Sequence, residues 1–236
     1  MEDLHIDIGG ETVPVKVSYN NRAKRYGLRI PNARPVPVLT IPRFGNLKTG
    51  QKFLDSNIEW LSERLSKKPK TIALSPHTII PYSGIDHRLI STGELRGRIE
   101  TVLQDGEWCL AIPGDEEHFE RRLTDWLKKK AKIALGEACD YHAKRLGLTY
   151  RSISVRDQRT RWGSCSSQAR LNFSWRLILA PADVLDYVAA HEVAHLEEMN
   201  HGAKFWALVE RTCPDMDKHR YWLRENGAKL HAYGSA

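Results

Sequence analysis

The sequence predicts an α+β fold: a mostly β N-terminal region, then a helical region that carries a metal site. Three observations lead there. Apolar residues alternate at period two in short runs up to about residue 112. Helical spacing of apolar residues then holds over 116–146. Beyond it, His191-Glu192-Val193-Ala194-His195 sits in a stretch apolar enough for a buried helix.

Taken in order, residues 1 to about 45 read as strands. Val13, Val15 and Val17 alternate, as do Leu28 and Ile30, and Val36, Val38 and Leu39-Thr40-Ile41 follow. Prolines at 31, 35, 37 and 42 mark edges or turns. Phe53, Leu54, Ile58, Leu61 and Leu65 predict one amphipathic helix over 48–66, which includes Trp60. Short strands return over 71–112, with turns at Tyr82-Ser83-Gly84 and Gln104-Asp105-Gly106. The chain thus divides into a β-rich region with one helix, 1–112, and a second region, 113–236. Phe119, Leu123, Trp126, Leu127, Ala134, Ala138, Tyr141 and Leu146 draw the apolar face of a long helix, closed by Gly147. His142 lies on or near that face and reads as a core or boundary residue. Residues 152–156 alternate, and 161–165 and 171–175 pair as a hairpin through 166–169. Pro181 and Asp183 suit a helix start. Val184, Leu185, Tyr187, Val188, Ala189 and Ala190 make that helix buried, and Phe205, Trp206, Leu208 and Val209 begin another.

The chemistry rests on spacing. Two histidines four apart on a helix share a face, so His191 and His195 can reach one metal ion. Glu192 projects near that face, placed for a water rather than for the metal. H-E-x-x-H arises by chance in roughly a few per cent of chains of this composition, so the helical context decides in its favour. His201 follows six residues after His195 and closes a three-ligand site with an open fourth position, the arrangement of catalytic zinc. The spacing fits the metzincin pattern H-E-x-x-H-x-x-G-x-x-H, except that Glu198 stands where the glycine belongs. Asn200 and Gly202 flank His201 and tolerate left-handed backbone, so the helix is expected to end near Met199 and turn at Asn200. A carboxylate third ligand is the rival: Glu197 and Glu198 lie uncomfortably close in sequence, and Glu210 is possible. These features point to a zinc hydrolase, a peptidase first.

Composition narrows the setting. The 236 residues suffice for a sizeable core in one or two domains. No apolar stretch reaches the ~18 residues of a membrane span, and residues 1–10 lack the pattern of a secretory signal. The four cysteines (Cys109, Cys139, Cys165 and Cys213) lie far apart and without C-x-x-C, which predicts free thiols in a reducing compartment, the cytoplasm. Net charge is +7, with basic runs at Arg22-Ala23-Lys24-Arg25, Lys67-Lys68-Pro69-Lys70 and Lys128-Lys129-Lys130-Ala131-Lys132. Solvated helix faces and turns explain such runs; attraction of nucleic acid or acidic substrates is the sharper alternative. No zinc-finger spacing accompanies them.

Several stretches together resemble a known family. Arg161-Trp162-Gly163-Ser164-Cys165-Ser166, then 171–181 (Leu-Asn-Phe-Ser-Trp-Arg-Leu-Ile-Leu-Ala-Pro), then 187–196 around the motif, then Asn200-His201 with Phe205-Trp206, resemble the YgjP-like metallopeptidases. These are zincins related to the SprT-like and WLM (Wss1-like) proteases. The resemblance covers the whole chain. It implies a zincin-like catalytic domain, zinc on His191, His195 and His201, and Glu192 as general base. In that mechanism Glu192 takes a proton from water and gives it to the leaving amine, while zinc polarises the scissile carbonyl.

An extended peptide or protein substrate would add as a strand along 161–166, making Trp162, Gly163 and Ser164 the expected substrate-binding residues. Trp162 serves equally as a core aromatic, and Cys165 reads as a small buried residue. Tyr187, His219 and Tyr221 are candidates for a second oxyanion donor. Two other functional classes stand beside a zinc peptidase. One is a DNA-associated protease like the SprT-like relatives, whose DNA binding would be salt-sensitive. The other is a non-catalytic metal-binding protein, against which Glu192 argues, because a structural site needs no base.

Overall fold

The structure is a computed structural model that describes residues 3–31, 36–66, 71–158 and 160–234. The basic run at 67–70 and Pro35 lie outside the described residues. The architecture is α+β, in two compact units, Met1–Lys70 and Thr71–Ser235.

The first unit holds strands β1 (Asp3–Ile8), β2 (Glu11–Asn20), β3 (Gly27–Arg29) and β4 (Val38–Pro42) in the order β1-β2-β4-β3, with β2 and β4 parallel. The alternation at Val15 and Val17 puts both in a small core with Ile6, Leu39, Ile41, Leu54 and Leu61. The expected helix over 48–66 is two helices, α1 (Leu47–Asp55) and α2 (Ile58–Ser66). The cause lies at the break. Ser56 Oγ and Asn57 Nδ2 both donate to the Phe53 carbonyl, at 3.0 and 2.7 Å, and short polar side chains that compete for helix carbonyls end helices.

In the second unit, β5 (Ile79–Tyr82), β6 (Ile85–Ser91), β7 (Glu100–Gln104) and β8 (Glu107–Ile112) form a sheet ordered β5-β6-β8-β7. The division expected at 112/113 is therefore misplaced: the compact units part at 70/71. Ile80, Leu89, Leu110 and Ile112 share one core with Phe119, Leu123 and Trp175, so this sheet cannot be separated from the helices that follow.

A 3-10 turn (Glu116–His118) leads into α3 (Phe119–Leu146), closed by Gly147 at φ 71°. Its buried residues include Phe119, Leu123, Leu127, Ala131, Leu135, Cys139 and Ala143, each four apart. Four residues turn a helix by about 40° beyond a full circle, so this stripe winds around α3. One partner cannot cover it. α3 packs on β8, on a 3-10 turn (Trp175–Leu179), on β9 (Ser152–Arg156), on α4 (Ala182–Ala194) and on α5 (Ala203–Thr212). A hydrogen bond between His142 Nε2 and Asp186 Oδ1, 3.0 Å long, ties α3 to α4, with His142 fully buried in its core role.

β10 (Gly163–Cys165) and β11 (Arg170–Ser174) make the predicted hairpin, and β9 joins β11 in parallel, so the order is β10-β11-β9 with β10 at an edge. A last helix, α6 (Met216–Leu230), had no counterpart among the expected elements. The chain after it returns to Ile72, whose N–H donates to the Ala232 carbonyl at 2.8 Å. Buried Arg176 donates to the Tyr233 carbonyl and to Asp157. No helix among the described residues is long and apolar enough to cross a membrane.

The β5–β6 turn fixes where α4 begins. Ser83 N–H donates to the Ile178 carbonyl (2.8 Å) and Gly84 N–H to the Leu179 carbonyl (3.3 Å). Gly84 has φ +77°, and a Cβ on it would lie 2.9 Å from the Cα of Pro181, the N-cap of α4. Gly84→Ala should therefore lower unfolding free energy by about 2 kcal/mol or more, from backbone strain plus a collision with backbone. Gly106 has a similar φ, +81°, and open space around it. Gly106→Ala should cost only the backbone part. Denaturant unfolding of the two variants measures the difference, and equal losses would remove the docking role from Gly84.

Candidate metal centre

α4 is apolar nearly all round: Val184, Leu185, Tyr187, Val188, Ala189, Ala190, Val193 and Ala194 are buried. Its last turn carries His191 and Glu192, and His195 caps it. The helix stops at Ala194, five residues before the expected end at Met199. The reason is His195. Its Nδ1 lies 2.9 Å from the Glu198 carbonyl, so the chain must fold back over the ring. The reversal uses no left-handed residue: Gly202 has φ −83°, and neither Glu198 nor Asn200 has positive φ. The bend is spread over 195–202, which explains why no glycine is needed at 198. His201 then stands just before α5.

The structure brings His191, His195 and His201 together, with one nitrogen of each within 4.8 Å of the others. His191 Nε2 and His201 Nε2 are 3.0 Å apart. Among the described residues this is the one such group of possible ligands, and Glu197, Glu198 and Glu210 stand outside it. Phe205, fully buried, packs against all three rings, with centroids 4.8, 4.5 and 4.7 Å from those of His191, His195 and His201. Trp206 lies beside His191 and His201, at 5.8 Å from each.

The donors suit a metal. A carbonyl only accepts, so His195 Nδ1 carries the proton of its bond to Glu198 and leaves Nε2 as a lone pair, the usual outer support of a ligand imidazole. Burial, then the neighbouring His195, His201 and Arg220, pushes His191 down to about 3, so its ring is neutral. Burial also lowers His195. Neutral imidazoles converging at this spacing are what a cation requires.

Glu192 is outside the triad and buried. Burial pushes its carboxyl up to about 8, against the opposing pull of Arg161 and a hydrogen bond from the Cys165 backbone. Its Oε2 has no partner among the described residues. Gly163 lies directly against it: a Cβ there would be 2.5 Å from Glu192 Oε1, 2.6 Å from Cγ and 2.8 Å from Cδ. Of the residues expected to touch substrate, Gly163 is thus at the site. Ser164 sits in the ladder opposite Asn172. Trp162 stacks on His231 (4.3 Å, 21° between planes) and packs on Gly227, which gives it a packing role.

Tyr187 lies 6.1 Å from His191, but its hydroxyl is pushed up to about 12, mainly by burial. His219 is buried and Tyr221 exposed, and neither makes a ring contact with the histidines. Sequence reasoning missed Arg220, whose guanidinium lies 4.7 Å above the Trp206 ring. No local pattern links α6 to the motif, so nothing in the sequence flagged it. Phe205 was read as the start of a helix and as part of the family resemblance, not as a neighbour of the three rings.

A sequence model for the family described as YgjP-like, metallopeptidase domain, matches residues 24–226. Among solved structures, the chain is similar to the metallopeptidase zymogen of Pyrococcus abyssi abylysin, with 17% identity and a TM-score of 0.37 over 43% of this chain and 99% of that one. No curated protein matches.

Two outcomes follow from the geometry. His201→Ala should weaken metal binding by more than about 100-fold, beyond what loss of an outer-shell partner costs, whereas Glu197→Ala, Glu198→Ala and Glu210→Ala should each keep it. Metal titration of the four variants checks this, and tight binding by His201→Ala would move the third ligand elsewhere. The second concerns the metal-free protein. The folded pKa of Glu192 is raised above its ordinary 4.5, so its stabilising effect is full below that value and lost as pH rises through about 8. Glu192→Gln cannot ionise and escapes the loss. In chelator it should melt above wild type near pH ~8.5, with the gap closing toward pH ~5. A gap that widens as pH falls would reverse the sign.

Proposed function

The chain belongs to the YgjP-like metallopeptidase family, and on that premise we propose a zinc-dependent peptidase with His191, His195 and His201 as ligands and Glu192 as general base. The observation that carries this reading is the separation of roles: three imidazoles converge, and one buried carboxyl group stands beside them without joining them.

Zinc held by these imidazoles supplies Lewis-acid activation of a water and of the scissile carbonyl. Glu192 receives the water's proton at its unpartnered Oε2 and delivers it to the leaving nitrogen. The Glu198 carbonyl keeps the His195 ring in one tautomer, and Phe205 packs against the three rings and limits their freedom to turn. The substrate is a peptide or protein segment laid extended along the open edge of β10. Ser174 N–H donates to the Trp162 carbonyl (2.9 Å) and Ser166 N–H to the Arg170 carbonyl (3.0 Å), so by antiparallel alternation the amides of Gly163 and Cys165 face away from β11. The four free cysteines support a reducing compartment, the cytoplasm.

Glu192→Gln separates base from ligand. It should keep zinc and lose cleavage of a peptide library by about 100-fold or more, since proton transfer alone is removed. Loss of zinc in that variant would make Glu192 a ligand, and undiminished cleavage would make it a bystander.

A further inference from the structure

We propose that Gly163 is a positioning residue for Glu192: the missing side chain in β10 forms the mould that holds the carboxylate beside the three histidines. The proposal rests on Glu192 as general base, and its first arm is independent of that reading.

The contact is backbone against side chain. A Cβ at 163 would lie 2.5 to 2.8 Å from three atoms of Glu192, closer than real Cβ atoms come. Because Cγ is one of them, at 2.6 Å, rotating the carboxyl group about its last bond gives no relief. Either a helix, a strand or the whole side chain must move. α4 cannot withdraw easily: it is buried on nearly every side and tied to α3 through His142 and Asp186. β10 is fixed to β11 along Gly163–Phe173, Ser164–Asn172 and Cys165–Leu171. The side chain of Glu192 is therefore what yields. In swinging away it leaves the Cys165 backbone hydrogen bond that holds it.

The three histidines are untouched by this displacement. Gly163→Ala is thus predicted to remove the base from its place while the ligand set stays, a separation that a general packing defect does not produce.

Two measurements on the full chain test it. The first is a thermal-unfolding cycle on the metal-free protein with Gly163→Ala, Glu192→Ala and the double variant. Gly163→Ala should lower the melting temperature by about 3 °C or more in the wild-type background, as overpacking in a domain of this size does. In the Glu192→Ala background it should be neutral or raise it, because the new methyl fills vacated space. The second compares zinc-loaded Gly163→Ala with wild type on a peptide the wild type cleaves. kcat should fall about 10-fold or more, with KM and zinc affinity within about 3-fold. Equal melting shifts in both backgrounds overturn the contact. Unchanged kcat overturns the positioning role. If the cycle shows coupling while Glu192→Gln remains fully active, the mould stands as structure and the base assignment falls instead.

Discussion

The packing of α4 against α3 sets where the imidazoles can go. A helix apolar on nearly all sides must be enclosed, and the winding stripe of α3 offers one wall of that enclosure. The His142–Asp186 bond then removes the freedom to slide. His191, Glu192 and His195 occupy the C-terminal end of that helix, and the fold-back to the Glu198 carbonyl lets His201 arrive from the other side. Burial of α4 thus explains the position of the site, and the bend over 195–202 explains its closure.

The same burial makes the centre electrostatically costly. His191 and His195 lose affinity for protons and Glu192 gains it, because charge is disfavoured away from water. A site whose imidazoles resist protonation competes poorly for protons and well for a cation. The fold thereby stores an unfavourable arrangement that ligand binding to the native state relieves, and metal binding and stability become linked.

How much of this was legible from the residues depends on the range of the interaction. Period-two and helical spacing located β2, β4, α3 and the β10–β11 hairpin, because those patterns are local. The i, i+4 histidines were legible for the same reason, and the structure gathers them with His201. The break at Ser56-Asn57 was hidden beneath apolar spacing that continues across it, since Leu54 and Leu61 face one core on either side. The unit boundary at 70/71 was hidden because it depends on Ile80 and Leu110 meeting Leu123, which no local pattern reports. The early end of α4 rests on one side-chain bond, and the setting of Gly163 on a neighbour 29 positions along the chain. A glycine in a strand signals close backbone approach, but not what approaches.

The edge of β10 also limits how a peptide can lie. Of the two outward amides, the Cys165 N–H is taken by Glu192, which leaves the N–H and carbonyl of Gly163 and the carbonyl of Cys165. Beyond Cys165 the chain enters the turn at 166–169, so no longer ladder is available there. On the proposed reading, a substrate strand is therefore anchored at a single full backbone pair, at Gly163. That residue is also where the carboxylate of Glu192 rests. Anchoring point and base meet at one residue: the backbone of Gly163 is free to pair in the plane of the sheet, and its missing side chain leaves the room that the carboxylate of Glu192 fills. Recognition spread along many strand positions would need a longer edge than β10 has, and selectivity must then come from side-chain contacts around the histidines, where Trp206 and Arg220 stand.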